Sequence, residues 1–185
     1  EKLPIQIVAS GPESEEDEIK AGMMKMINSA RKYIYIQTPY FVPDSSFLTA
    51  LRLAAKSGVD VRLMIPGIPD KKYVYHDTLS YVGDALDYGI KVYSYPGFLH
   101  AKTIVCDDDI TTIGTTNIDS RSFTLHFEIN AFIYDNMTAL QNKNIFLRDL
   151  SLCKQITPAL YEERKRKHPL SYMADGFFRL FSPIM

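Results

Sequence analysis

The sequence predicts an α/β fold, a three-layer α/β/α sandwich around a mixed, largely parallel central sheet, in a single domain over 1–185. Three observations predict it. Short runs rich in Ile, Val and Tyr alternate with longer segments whose apolar residues recur at helical spacing. Gly58 and Gly89 stand just past helical segments, where a left-handed residue stops a helix. From residue 100 onward the alternation gives way to successive strands, which adds antiparallel members to a parallel centre.

In order along the chain, Ile5 to Ala9 is a short apolar run closed by Ser10-Gly11-Pro12, as suits a strand and a turn. A helix follows. Ser14 is placed to cap it, Asp17 lies three residues on, Glu15 and Glu16 favour its positive end, and Ile19, Met23, Met26 and Ile27 form its apolar stripe. Aromatic and β-branched residues dominate Tyr33 to Thr38, a strand closed by Pro39. Asp44-Ser45 starts a second helix, with Phe47, Leu48, Leu51 and Ala55 on one side, and Val59 to Ile65 is a strand stopped by Pro66-Gly67. A helix over Tyr73 to Tyr88 and a strand over Ile90 to Tyr95 repeat the theme. His100 to Cys106, Ile110 to Thr115 and His126 to Tyr134 read as successive strands, the first two joined by the tight polar turn Asp107-Asp108-Asp109. A helix over Asn136 to Ile156 and a basic, aromatic tail over about 157–185 complete the chain.

With 46% hydrophobic and 23% charged residues among 185, the chain has the balance of a globular domain, not of a disordered one. A formal net charge of −1 without a long basic block argues against nucleic acid as a partner, so an anion would be held locally. Cys106 and Cys153 lie far apart without metal-ligand spacing, which argues against a disulfide framework and favours a reducing compartment. No apolar run approaches the roughly 18 residues of a membrane span, so the chain as given is expected to be soluble. It begins at Glu1 without a methionine, as expected of a piece of something longer. In the tail, Arg164-Lys165-Arg166-Lys167-His168 precedes Tyr172, Met173, Phe177, Phe178, Leu180 and Phe181. Two readings stand for it, a stretch that lies on anionic lipid or a segment docked on its own domain, with Gly176 and Pro183 limiting any long helix.

The chemistry concentrates in "GFLHAKTIVCDDDITTIGTTNID", residues 97–119. On a strand His100 and Lys102 share a face, with Cβ atoms about 6–7 Å apart, so both heads reach one group. A neutral imidazole is a nucleophile and a proton carrier near neutrality, and a lysine supplies a fixed positive charge, a pairing that suits a phosphate. Thr115 and Asn117 also share a face and offer donors to phosphoryl oxygens. Asp107 lies five residues beyond Lys102, roughly 16 Å along an extended chain, so it is expected to cap the hairpin or pair with a distant cation. Glu128 is the better carboxylate to orient the His100 ring, although parity leaves open whether it faces the site. The three aspartates point apart at a hairpin tip and are expected to be a solvated turn, not a metal site. His76 and His126 are expected to be surface or locally satisfied side chains, Tyr40 and Phe41 to line a pocket or to pack, and Met23, Met24 and Met26 to pack a helix.

His100-x-Lys102, Asp107 and Gly114-Thr115-Thr116-Asn117 match the HxKxxxxDxxxxxxGSxN signature of the phospholipase D superfamily, with threonine in place of serine. "YIYIQTPYFVPD", "SGVDVRLMIPGIPD", "FLHAKTIV", "RSFTLHFEINAFIYD" and "FRLFSPIM" together resemble the carboxy-terminal half of bacterial cardiolipin synthases, with His126 where that family would carry asparagine. The resemblance implies an α/β/α sandwich and a two-step phosphatidyl transfer without metal or cofactor. One histidine forms a phosphohistidine, a second protonates the departing alcohol, and two lysines and two asparagines hold the phosphate. It further implies cardiolipin formation from two phosphatidylglycerol molecules with release of glycerol, at the cytoplasmic membrane of a bacterium.

This chain carries one such motif, so it is expected to be half of a site and weakly active or inactive unless paired with a second motif-bearing domain, in the same protein or in a homodimer. The expected set is His100, Lys102, Asn117 and Glu128, with Thr115 also on the phosphate and Asp107 and Gly114 structural. Whether His100 attacks or protonates stays open. The rivals are a hydrolase, either a lipid phosphodiesterase or a dimeric single-motif nuclease, and a non-catalytic interaction module of the same fold.

Overall fold

Tyr33-Ile-Tyr-Ile-Gln37 is buried along its whole length, and this strand is the spine of the computed structural model, which describes residues 2–14 and 16–180. Along the chain come β1 (Ile5–Ser10), α1 (Glu18–Ser29), β2 (Tyr33–Gln37), β3 (Phe41–Val42), α2 (Ser45–Lys56), β4 (Asp60–Pro66), α3 (Lys72–Asp87), β5 (Lys91–Tyr95) and β6 (Thr103–Cys106). Then follow β7 (Ile110–Gly114), β8 (Ile118–Asp119), α4 (Ser120–Thr124), β9 (Glu128–Ile133), α5 (Asn136–Leu150), β10 (Lys154–Ile156), α6 (Pro158–Lys167) and α7 (Pro169–Arg179). Eight strands form one sheet in the order β1-β9-β7-β6-β2-β4-β5-β10, while β3 and β8 pair apart from it.

The sheet is mixed. β2, β4 and β5 pair in parallel, and the remaining ladders are antiparallel. Side-chain alternation sends β2 both ways. Ile34 and Ile36 join Ile19, Leu51, Leu63 and Val82 under α1, α2 and α3, while Tyr33 and Tyr35 join Ala139 and Phe146 under α5. Tyr35 stacks on Phe146 with ring centroids 4.8 Å apart. Helices on both faces give the three layers that the sequence predicts.

Several boundaries differ from expectation for physical reasons. The first helix starts at Glu18, not at Ser14, because the Ser14 hydroxyl closes a turn by accepting from the Gly11 N–H at 3.1 Å. Glu15, Phe181 and Pro183 lie outside the described residues. The strand expected from His100 begins only at Thr103, and that expected from His126 begins at Glu128. The helix expected to reach Ile156 ends at Leu150, after which β10 pairs antiparallel with β5. Gly58 and Gly89 do end helices, with φ of +90° and +88°. In the hairpin between β6 and β7, Asp107 and Asp108 both have positive φ, the requirement of a type I′ turn.

The tail docks. Asp175 of α7 is fully buried, accepts from Arg164 of α6, and lies 2.7 Å from His76 of α3, while Arg179 pairs with Asp84 at 2.6 Å. His76 is thus a satisfied partner, but of Asp175, 99 residues away, and not of its own helix.

Candidate active site

Register places the chemistry on one edge of the sheet. The C-terminal ends of β2, β4, β5 and β7 and the N-terminal ends of β6 and β9 all reach it, through the pairs Gln37 with Thr103, Pro66 with Tyr95, and Gly114 with Asn130. Loops at this edge carry His100, Lys102 and Asn117, and Glu128 is the first residue of β9.

Residues 98–102 are extended without strand pairing, yet they alternate. Leu99 and Ala101 pack inward beside α5, and Phe98 stacks on His100 with centroids 5.4 Å apart. Lys102 follows on the same side as His100, its Nζ 3.0 Å from His100 Nδ1 and 2.9 Å from the His100 carbonyl. The Lys102 carbonyl accepts from the Gly114 N–H at 3.3 Å, which ties the segment to the end of β7. Burial, and after it the charge of Lys102, holds the His100 pKa below its ordinary value, so the ring is neutral at neutral pH. Burial also lowers the Lys102 pKa, against the charges of Glu128, Asp70 and Asp119, which favour the ammonium.

Asn117 lines a cavity of about 140 Å³ together with Tyr40, Lys71, Asp119, Arg121 and His126. Its Nδ2 donates to Ser122 Oγ at 3.2 Å, and its Oδ1 is buried with no donor among the described residues. Ser122 Oγ in turn donates to Asp119, whose carboxylate also caps α4 by accepting from the Ser122 N–H at 2.7 Å. Burial raises the Asp119 pKa. His100 and Lys102 do not line this cavity, and Lys102 lies within electrostatic reach of Asp119, which does.

Thr115 and Glu128 have partners other than those expected. The Thr115 hydroxyl accepts from the Ile129 N–H at 2.9 Å and donates to the Ile129 carbonyl at 3.4 Å, so it bridges to β9. Glu128 makes no hydrogen bond to His100. Its nearest titratable partner is His126 at 3.8 Å, and it acts on the site through its charge on Lys102.

Asp107 accepts the backbone N–H groups of Arg31, Lys32 and Tyr33 at 2.6, 2.8 and 2.8 Å, fastening the hairpin to the entry of β2. Asp108 takes Lys143 and the Tyr33 hydroxyl, and Asp109 takes Asn136, so each aspartate of the turn has its own protein partner. At Gly114 a Cβ would overlap Asn130 Oδ1 and the Ile129 carbonyl. That close approach lets buried Asn130 accept from the Thr116 hydroxyl at 2.8 Å and donate to Thr112, setting the loop that carries Asn117. Asn130, Lys71, Arg121 and Asp119 escaped the sequence reading. A buried asparagine on a strand of "FEINAF" is the one local signal that pointed to any of them. Tyr40 lines the cavity, Phe41 is core, and His126 faces the cavity instead of plain surface.

The family described as Cardiolipin synthase, PLD-like domain, matches residues 23–150. A cardiolipin synthase of Staphylococcus aureus is 48% identical over 184 residues, which is 99% of this chain and 37% of that relative. The chain therefore spans little more than a third of the length of such relatives. Among solved structures, the phosphatidylserine synthase of Haemophilus influenzae superposes with a TM-score of 0.76 at 17% identity, over 99% of this chain and 48% of that one. The phospholipase D family member Nuc of Salmonella typhimurium superposes with a TM-score of 0.70 at 19% identity, over 84% of this chain and 99% of that one. At these identities the likeness is one of fold.

Proposed function

We propose that this chain, which belongs to the phospholipase D-like domain family of cardiolipin synthases, is one catalytic half of a phosphatidyltransferase that joins two phosphatidylglycerol molecules and releases glycerol. The observation that carries the reading is the contact of the His100 imidazole with the Lys102 ammonium, whose charge is felt by Asp119 in the cavity that Asn117 lines.

The chemistry needs two imidazoles at one phosphorus, and this chain supplies His100. One imidazole attacks the phosphorus of a phosphatidylglycerol, a P–N bond forms, the P–O bond to glycerol breaks, and the other imidazole gives the departing alkoxide its proton. The glycerol hydroxyl of a second phosphatidylglycerol then attacks, losing its proton to that second imidazole as the P–N bond breaks. Water in place of that alcohol gives phosphatidic acid. Lys102 and Asn117 hold the phosphoryl oxygens, and Glu128 balances the charge around Lys102. The lowered His100 pKa favours the neutral ring, the form a nucleophile needs.

An exposed apolar patch on the sheet supports pairing with a second half. Ile5, Ile7, Ile113 and Ile129 fall on the face that α5 covers farther along, but here they are exposed, and the patch begins next to Glu128. An open β-branched sheet face beside an incomplete site suits burial against another domain. Once paired, the enzyme would work on lipids of the cytoplasmic membrane surface. The test is to supply a second motif-bearing half, incubate with phosphatidylglycerol vesicles and chromatograph the lipids. Cardiolipin with free glycerol, lost in His100→Gln, is the expected product. Phosphatidic acid alone would reject the transferase reading.

A further inference from the structure

Helix α7 is amphipathic in the inverted sense. Its inward side holds it to the protein through buried Asp175 with Arg164 and His76, through Arg179 with Asp84 and the Tyr81 ring, and through Phe178, which stacks on His76. Leu170, Met173 and Phe177, with Leu180 just past its end, follow at i, i+3, i+7 and i+10, and are 80%, 68%, 56% and 76% exposed. A helix lying on a water-soluble protein normally shows the opposite polarity, apolar side in and charged side out. The outward stripe runs about 15 Å, too short to cross a bilayer and long enough to lie in its surface.

The basic corner that precedes the stripe indicates what covers it. α6 ends in Arg164-Lys165-Arg166-Lys167, one residue before α7 begins. Glu162 and Glu163 pair with Lys165 and Lys167, and Arg164 is taken by Asp175. Arg166 is exposed and has no ion-pair partner among the described residues. Lys165 also sits 5.0 Å from the centroid of the Tyr172 ring, so an aromatic residue with a polar tip flanks the same corner. Apolar side chains beside surplus positive charge and an interfacial tyrosine are complementary to acyl chains beneath anionic phosphate headgroups.

We propose that the outer face of α7, with the α6–α7 corner, is a seat for an anionic phospholipid surface, separate from the segment that carries His100. The seat does not depend on the transfer chemistry.

The test is flotation of the chain with vesicles of phosphatidylcholine alone or mixed with phosphatidylglycerol. The expected result is binding to the mixed vesicles, weakened about a hundredfold in Leu170→Ser/Met173→Ser/Leu180→Ser, whose side chains are solvent-facing. Arg166→Gln, which removes the charge and leaves the stripe, is expected to weaken binding several-fold, and His100→Ala to leave it unchanged. The proposal is overturned if the chain ignores anionic vesicles, if the triple serine variant binds them like the parent, or if His100→Ala abolishes binding. It is equally overturned if the stripe proves to pair two copies of the chain, seen as a dimer in sedimentation that the serine variant dissolves while vesicle binding is absent. Failure of cardiolipin formation in the lipid chromatography assay would leave this result standing, and the reverse holds as well.

Discussion

Lys102 Nζ lies 3.0 Å from His100 Nδ1, which requires an unprotonated ring nitrogen facing the ammonium. The two side chains are therefore one electrostatic unit. Burial and then the Lys102 charge lower the His100 pKa, so the imidazole keeps its free nitrogen to a lower pH than an isolated histidine. In an NMR titration of the ring protons, His100 should titrate below the ordinary value near 6.5. Lys102→Met should move the midpoint upward. A midpoint unmoved or lowered by that change would contradict the coupling.

The sign carries over to catalysis. If His100 attacks, kcat/KM in the paired enzyme falls as pH drops through the lowered His100 pKa, and Lys102→Met shifts that acidic limb to higher pH. An acidic limb that does not move with Lys102 assigns it to another group.

Asp107 belongs to the catalytic signature yet touches no reacting group. It gathers three backbone N–H groups at the start of β2, so Asp107→Ala should cost roughly 2–3 kcal/mol in chemical denaturation. Asp107→Asn keeps an acceptor and tolerates the positive φ, and should cost clearly less. Equal losses from the two variants would refute the fastening role.

Asn130 is argued to set the loop through Thr116. Asn130→Ala leaves the Thr116 and Thr112 hydroxyls short of partners and should cost about 2 kcal/mol. Amides of 115–117 should also exchange faster with solvent, and kcat should fall while the His100 midpoint stays in place. An unchanged exchange rate there would show that Asn130 serves β9 alone.

Asp175 holds the tail. Removing it leaves Arg164 and His76 beside an apolar gap, so Asp175→Ala should destabilise by about 3 kcal/mol and expose α6 and α7 to limited proteolysis. Cleavage unchanged from the parent would place the anchoring elsewhere.

What was legible in the sequence was what repeats or what spacing fixes. Ile34 and Ile36 against Tyr33 and Tyr35 announce a central strand by composition, and Gly58 and Gly89 mark helix ends by a backbone need. The two-residue step from His100 to Lys102 placed them together even though the strand begins only at Thr103, because an extended chain alternates whether or not it is paired. Contacts set by tertiary approach were not legible. Thr115 turns to Ile129 because β7 and β9 close around Gly114, and the helix expected over Asn136 to Ile156 breaks because β5 offers a free edge to Lys154–Ile156. The buried Asp175, serving residues on two other helices, leaves no local pattern at all.

Convergence of His100, Lys102 and Asn117 on one phosphate underlies the account, and NMR of the chain titrated with vanadate, a phosphate mimic, tests it most directly. The predicted result is that the His100 ring, the Lys102 ammonium and the Asn117 side-chain amide shift together along one saturation curve, and that Lys102→Met weakens the curve for all three. Separate curves, or an Asn117 amide that stays still while the other two move, would contradict it.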